Sequence, residues 1–408
     1  MPRVLRILNR LIVGGPVLNA AYLTHYMSPE FETLLVVGQR EPNEESAEHL
    51  TSQLGITPLY VPEMERNVNG FNDFKAYRKI KQIIREFKPE IVHTHAAKPG
   101  ALGRMAASSM RVPVIVHTYH GHVFHSYFGK LKSSIYIALE RYLSRKSDVL
   151  VVVSPTQKHE LVNEYKIAPE DKFRVIPLGL DLSKFQTDYE NKRKKFRTEF
   201  GLDDDEIAIG IIGRLVPVKN HILFLEAISY VLKNSSKRLK AIIVGDGGMR
   251  KHLEERATQL GISFTTLKDE QHSSPLIFTS WRNDVDIINA GLDIVALTSF
   301  NEGTPVSLIE AQAAQKPIVS TRVGGIQDVV MEDVTALLSD VNDKQSFFKN
   351  LLRLVEDADL RKQFSEHSKE SVLNRYSYHR LIKDMSGLYK DLLNHKKYSL
   401  PLVQATSY

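Results

Sequence analysis

Short apolar runs alternate with longer amphipathic stretches through the first half of the chain. The runs are rich in Val, Ile and Leu without a two-residue alternation, which is typical of parallel strands buried on both faces. Between them, Phe74–Phe87 places its isoleucines at helical spacing on one side. The order strand, helix, strand predicts a doubly wound α/β domain. The predicted strands are Val4–Leu11, Thr33–Gly38, Glu90–His95, Pro113–His120, Asp148–Ser154 and Phe173–Pro177.

A second alternation of the same kind follows a charged stretch, so two Rossmann-like halves are predicted. Its predicted strands are Ile207–Gly213, Leu239–Gly245, Leu276–Trp281, Asp293–Thr298 and Pro317–Thr321. A long helical stretch, Asp343 to Asn394, closes the pattern. The expected division is an N-terminal domain over 1–184, a linker over 185–205, a C-terminal domain over 206–374, a helix over 375–395 that returns to the N-terminal domain, and a loose tail over 396–408.

Length and composition narrow the class of protein. The 408 residues exceed the roughly 250–300 that one core supports, which favours two domains. Cysteine is absent, so disulfides, thiolate nucleophiles and cysteine–zinc sites are excluded. The net charge of +6 suits phosphorylated ligands or an anionic membrane surface and is too small to indicate nucleic acid. The first fifteen residues resemble a strand more than a signal peptide, so a cytoplasmic enzyme is expected.

Unusual residues follow two strands of the first half. Gly14 and Gly15 follow the first strand, where glycine lets the backbone approach a ligand and a helix start favours an anion. His120 ends another strand, where an imidazole can contact substrate. A metal site with His117, His122 and His125 is an alternative, although their spacing matches no standard zinc constellation.

The segment from Lys98 to Lys146 contains eight basic residues and one acid, interleaved with aromatic residues. Three interpretations stay open for it: a solvated face, a surface for anionic lipid headgroups, or a groove for single-stranded nucleic acid.

The second half contains the most informative pattern. Arg214 and Lys219 follow a strand and can bind the two phosphates of a diphosphate. Glu302 lies on a later strand-end loop, and Glu310 lies inside the helix that follows. We predict Thr304 as the N-cap of that helix and Pro305 as its first residue, with the amides of Gly303 and Thr304 free for an anion.

Together these residues resemble the retaining glycosyltransferases of the GT-B fold, specifically glycosyltransferase family four. The resemblance spans nearly the whole chain, and its amino-terminal motifs are most similar to members that build bacterial capsule, exopolysaccharide or O-antigen. The residues that carry it are NEGTPVSLIEAQAAQKPIVSTRVGG with Glu302 and Glu310, Gly213-Arg214…Lys219, Val244-Gly245-Asp246-Gly247, Pro177…Gly179…Asp181…Phe185, HTHAAKPGALGRMAA and HTYHGHVF.

The resemblance implies two Rossmann-like domains facing across a cleft and a role for each candidate residue. The catalytic set is His120, Glu302, Arg214 and Lys219, and the donor-binding set is Gly14, Gly15, Arg214, Lys219, Arg282, Glu302, Gly303, Thr304 and Glu310. Arg214 and Lys219 would bind the nucleotide diphosphate, Glu310 the ribose and Glu302 the transferred sugar. Transfer in such enzymes proceeds with retention and generally without a metal, so neither metal nor cofactor is expected.

The sequence therefore predicts a glycosyltransferase that moves a sugar from a nucleotide diphosphate sugar, expected to be a UDP-sugar, to a growing, lipid-linked surface glycan at the inner face of the plasma membrane. An anionic membrane surface is an expected partner and nucleic acid is not. The alternatives are a nucleotide-sugar 2-epimerase of the same architecture and a two-domain binding protein without chemistry.

Overall fold

A computed structural model of the chain describes residues 1–12, 14–41, 44, 46–121, 130–267 and 274–399. The described residues divide into two compact units. Met1–Leu180 and the last helix of the chain form the first unit, and Asp181–Arg375 form the second.

Each unit is built on one seven-stranded sheet in which every strand pairs in parallel with its neighbour. The elements of residues 1–180 are β1 (Arg3–Leu8), α1 (Gly15–Tyr26), β2 (Glu32–Gly38), α2 (Glu48–Gln53), β3 (Leu59–Val61), α3 (Gly70–Phe87), β4 (Ile91–His95), α4 (Ala97–Ser109), β5 (Val114–Tyr119), α5 (Lys130–Ser144), β6 (Val149–Val152), α6 (Pro155–His159) and β7 (Phe173–Val175). Those that follow are α7 (Tyr189–Glu199), β8 (Ile207–Ile212), α8 (His221–Asn234), β9 (Leu239–Val244), α9 (Arg250–Gln259), β10 (Phe264–Thr266), β11 (Leu276–Phe278), α10 (Val285–Gly291), β12 (Ile294–Leu297), α11 (Val306–Ala313), β13 (Ile318–Thr321), α12 (Ile326–Val329), β14 (Ala336–Ser339), α13 (Lys344–Glu356), α14 (Ala358–Tyr376) and α15 (Tyr378–Ser399).

The strand orders are those of doubly wound sheets. The first sheet runs β3-β2-β1-β4-β5-β6-β7 and the second runs β10-β11-β9-β8-β12-β13-β14. All eleven predicted strands are present, each ending within a few residues of its expected bounds. The prediction of two Rossmann-like α/β halves is confirmed.

The last helix packs on the first unit. Leu381, Met385 and Tyr389 of α15 lie in one buried cluster with Val4 and Ile91 of β1 and β4. The helix continues to Ser399, so the expected loose tail from residue 396 is helical over its first four residues.

The expected linker over 185–205 contains a helix that belongs to the second unit. On α7, the guanidinium of Arg193 pairs with Asp293 at 2.8 Å. Phe196 is fully buried, and a side chain at Gly291 would collide with its ring. The charged residue Arg193 therefore fixes α7 to the second unit, and this part of the segment is not a solvated linker.

None of the described helices is long and apolar enough to cross a bilayer.

Candidate functional site

The second sheet reverses its direction of winding between β8 and β12. From β8 the chain adds strands on one side, and it then crosses to place β12 on the other side. In open α/β sheets, ligands bind outside the carboxyl ends of the strands at such a point. The two loops that leave β8 and β12 contain Arg214, Lys219 and Glu302.

These two loops are hydrogen-bonded to each other. The Thr298 hydroxyl donates to the Lys219 carbonyl at 3.0 Å, and the Phe300 amide donates to the Val218 carbonyl at 2.8 Å. The short helical turn Pro217–Lys219 is thereby held against the end of β12.

Lys219 and Glu302 form a direct ion pair. The Lys219 ammonium donates to Glu302 Oε1, which also accepts from the Ser299 hydroxyl at 2.5 Å. Only 9% of the Glu302 side chain is exposed, against 20% for Lys219. The loop after β13 fixes the backbone of Glu302, since Gly325 donates its amide to the Glu302 carbonyl at 3.1 Å.

Arg214 is the cation at this switch point that remains available. Its side chain is exposed and makes no hydrogen bond or ion pair with any residue in the described part of the chain. The sequence predicted two cations for a diphosphate. Within the described residues, Lys219 is paired with Glu302 and the Arg214 side chain has no partner.

The glycines after β9 have a structural role. Gly245 and Gly247 have φ of 134° and 153°, and a Cβ on either would collide with a carbonyl of Gly213 or Leu215. Their close approach supports the backbone on both sides of Arg214. This explains the Val244-Gly245-Asp246-Gly247 pattern through packing.

The loop before α11 leaves polar groups without partners. The amides of Gly303 and Thr304 bond to no described residue, and the Thr304 hydroxyl is buried with no hydrogen-bond partner. The helix begins at Val306 with Pro305 as N-cap, so the predicted start is wrong by one residue. Buried polar groups are nearly always satisfied, so this loop favours a polar ligand.

Glu310 occupies the fifth position of α11 and is half-buried. Desolvation raises the pKa of its carboxyl to about 7, opposed by the charge of Lys184 and helped by Asp286. Among the described residues it forms no ion pair with Arg214 or Lys219. The structure thus joins Glu302 to Lys219, whereas Arg214 and Glu310 form no ion pair within the described residues.

Arg282 is engaged by two carboxylates. Its guanidinium pairs with Glu199 of α7 and with Asp284 at 2.6 Å, and these hydrogen bonds raise its pKa. The predicted donor-binding role would require the side chain to leave both partners.

In the first sheet, the winding reverses between β1 and β4. Gly14 and Gly15 lie at the start of α1, after β1, and a Cβ on Gly14 would meet Pro16 Cδ at an ordinary contact distance of 3.8 Å. His120 follows β5 and is half-buried, and desolvation lowers its pKa to about 3. Its Nε2 lies 2.9 Å from Nδ1 of His95, a contact that sequence reasoning missed.

Of the three histidines considered as a metal site, only His117 lies in the described part of the chain. His117 Nδ1 bonds to the Thr94 hydroxyl at 2.8 Å, and no group of three potential ligand side chains is found among the described residues. His122 and His125 lie outside the described residues.

Two of the eight basic residues between Lys98 and Lys146 do not contribute to a cationic surface. Arg104 is fully buried, where it makes two hydrogen bonds to Glu140 at 2.9 and 2.8 Å. Lys98 pairs with Asp73. These two cations are neutralised inside the unit, which contradicts a lipid-facing role for them.

Comparisons with known proteins identify the family and the fold of the chain. The model "Glycosyltransferase Family 4" matches residues 13–184, and "Glycosyl transferases group 1" matches residues 192–371. The UDP-Gal:alpha-D-GlcNAc-diphosphoundecaprenol alpha-1,3-galactosyltransferase of Escherichia coli is 30% identical over 342 residues, which cover 84% of this chain and 85% of that protein. The capsular polysaccharide biosynthesis glycosyltransferase CapM of Staphylococcus aureus is 22% identical over 83% of this chain and 86% of its own. The crystal structure of Anabaena Alr3699/HepE with UDP and glucose superposes with a TM-score of 0.79 at 17% identity, covering 96% of this chain and 100% of that one.

Proposed function

The chain belongs to glycosyltransferase family 4 and has the GT-B fold, and from this premise we propose that it transfers a sugar from a UDP-sugar to a lipid-linked glycan with retention of the anomeric configuration. The observation that carries the proposal is the exposed Arg214, which has no partner among the described residues, on the same loop as Lys219, which pairs with Glu302, at the switch point of the second sheet.

The cations serve the leaving group. As the bond from the anomeric carbon to the diphosphate breaks, negative charge grows on the diphosphate. A guanidinium already in place stabilises that charge more in the transition state than in the ground state, which accelerates the step. Lys219 can turn from Glu302 to a phosphate oxygen, and the amides of Gly303 and Thr304 offer further donors.

Glu302 serves the sugar. Its Oε1 is occupied by Lys219 and Ser299, so its second oxygen is available for a sugar hydroxyl. A carboxylate held in this way orients the sugar and does not attack it. In the proposed step, an acceptor hydroxyl attacks the anomeric carbon from the face that the diphosphate leaves, and its proton passes to the departing diphosphate oxygen.

The choice of UDP is supported by relatives. The Escherichia coli relative is named for UDP-Gal, and the Anabaena structure holds UDP and glucose. We propose a uridine nucleotide for this chain on that basis. The named relative also acts on an acceptor joined to diphosphoundecaprenol, which supports a lipid-linked acceptor here.

An acceptor embedded in a bilayer requires the enzyme to reach a membrane surface, and α3 offers one. Val68, Phe71 and Phe74 are 75%, 68% and 58% exposed, on or just before the first turn of the helix. Four cations, Lys75, Arg78, Lys79 and Arg85, are exposed farther along it. Exposed aromatic rings beside cations suit an anionic lipid interface. We propose α3 as the membrane contact in place of the segment from Lys98 to Lys146.

A screen of nucleotide sugars tests the donor. A ligand at about 100 times its Kd adds about 2.7 kcal/mol of stability, so the correct donor raises the melting temperature measurably. A UDP-sugar is expected to give the largest shift. Incubating that donor alone separates the alternatives: an epimer would indicate a 2-epimerase, and an unchanged donor that also fails to react with any acceptor would indicate a binding protein.

A further inference from the structure

One face of the first sheet holds a series of buried polar side chains that ends at His120. His93 is fixed at both ring nitrogens, by the Tyr389 hydroxyl of α15 at 2.6 Å and the Thr118 hydroxyl at 2.6 Å. His95, two residues farther along β4, therefore shares its face with His93. The His95 ring lies 4.2 Å from the His93 ring and 5.2 Å from the His120 ring, between centroids.

His95 and His120 share one hydrogen bond, and each keeps a second nitrogen without a partner. The bond joins His95 Nδ1 and His120 Nε2 at 2.9 Å. His95 Nε2 and His120 Nδ1 are buried and have no hydrogen-bond partner among the residues that the structure describes. Desolvation lowers the pKa of both imidazoles far below neutrality, so each carries one proton.

Two proton arrangements satisfy this bond, and they differ in which ring holds an unpaired N–H. If His120 donates from Nε2, the unpaired N–H belongs to Nε2 of His95, which is completely buried. If His95 donates from Nδ1, the unpaired N–H belongs to Nδ1 of the half-buried His120. Both nitrogens are themselves buried, so either arrangement leaves one buried N–H without a partner among the described residues, which is rare in proteins. His120 is the more exposed of the two residues, so its N–H is the one that a ligand can satisfy. The second arrangement is therefore favoured.

We propose that His95 is a positioning residue for His120. By donating from Nδ1 to His120 Nε2, His95 keeps the His120 proton on Nδ1. From Nδ1, His120 then donates a hydrogen bond to an oxygen of the donor sugar or of the acceptor. The hydrogen bond from His120 to a substrate oxygen rests on the proposed transferase activity, whereas the position of the His120 proton does not. The His93 ring, which is hydrogen-bonded to Tyr389, lies against the His95 ring and helps to hold it in place.

Proton position can be measured without any substrate. In protein labelled with ¹⁵N in its histidines, Nδ1 and Nε2 of a neutral ring have clearly different shifts when protonated and bare, and the His120→Gln variant identifies the His120 signals. We expect His120 to carry its proton on Nδ1. A proton on Nε2 would overturn the proposal, whether or not the protein transfers sugar.

A matched pair of variants tests the effect on activity. His95→Asn keeps an amide donor near the Nδ1 position, whereas His95→Leu has nearly the same shape and no donor. We expect His95→Leu to lower kcat about tenfold relative to His95→Asn, the usual effect of one hydrogen bond, with KM for the nucleotide sugar changed less than threefold. Equal kcat values in the two folded variants would refute the positioning role. A wild-type protein that transfers nothing would refute the proposed function and leave the proton measurement standing.

Discussion

At the scale of single residues, the ion pair between Lys219 and Glu302 lowers the electrostatic cost of placing a second cation on the loop that contains Arg214. Two neighbouring cations repel each other, and pairing one of them with a carboxylate reduces that cost. The remaining cation, Arg214, lies exposed on the loop after β8, and its five donors have no partner among the described residues. Under the proposed function, a diphosphate would contact Arg214 directly and Lys219 after that ammonium leaves Glu302.

Removing Arg214 should weaken transfer strongly. In Arg214→Ala, we expect kcat/KM for the nucleotide sugar to fall about a hundredfold, since loss of one transition-state donor costs roughly 2–4 kcal/mol. Steady-state kinetics measures this effect. Lys349→Ala, which removes an exposed cation from α13, controls for the change in net charge. Equal kcat/KM values in both variants would contradict a direct role for Arg214.

Glu310 should make stability depend on pH. Its folded pKa of about 7 lies above the ordinary value of 4.5, so the folded state holds the proton more tightly and is destabilised as pH rises through that range. At pH 8, Glu310→Gln should therefore have a higher unfolding free energy than wild type, by roughly 1–2 kcal/mol after allowance for partial exposure, and a higher melting temperature. At pH 4.5 the variant should show little gain. Glu366→Gln, on the exposed surface of α14, is the control. A gain that is the same at both pH values would show that Glu310 is not the group responsible.

At the scale of elements, the hydrophobic pattern of the sequence predicted the longer strands and the buried face of a helix. It did not predict very short strands or contacts between residues far apart in sequence. Ile80, Ile83 and Ile84 of α3 are buried as their spacing predicts. Strands β3, β10 and β14 were missed, since an edge strand of three or four residues gives little pattern. The contacts of Arg282 with Glu199 and of His95 with His120 join residues far apart in sequence, so no local rule reveals them.

The exposed face of α3 should bind anionic bilayers. Replacing both Phe71 and Phe74 with serine should weaken binding to phosphatidylglycerol-containing vesicles at least tenfold, because each ring removes apolar contact with the lipid. Cosedimentation measures it, with Met331→Ser, a change to an exposed apolar residue of the second unit, as control. Binding by wild type should fall at high salt and on neutral phosphatidylcholine. Unchanged binding in the double variant would place the lipid contact elsewhere.

At the scale of the whole molecule, the chain repeats one architecture twice and adds chemistry at the switch point of each sheet. The first unit presents Gly14, Gly15 and the His95–His120 pair, and the second presents Arg214, Lys219 and Glu302. The last helix packs on the first unit, where Tyr389 bonds to His93. The sequence placed Glu302, Lys219 and Arg214 on the correct loops because the end of each apolar run predicts where a strand ends. It did not reveal that Lys219 and Glu302 are paired, because side-chain pairing depends on packing.

The stereochemistry of the new glycosidic bond tests the account most directly. Proton NMR during the reaction of a UDP-α-sugar with a GlcNAc-diphosphate lipid reports the anomer as it first forms. Same-face transfer at a site without a protein nucleophile predicts an α-linked product together with free UDP. A β-linked first product, or no transfer from any UDP-sugar, would contradict it.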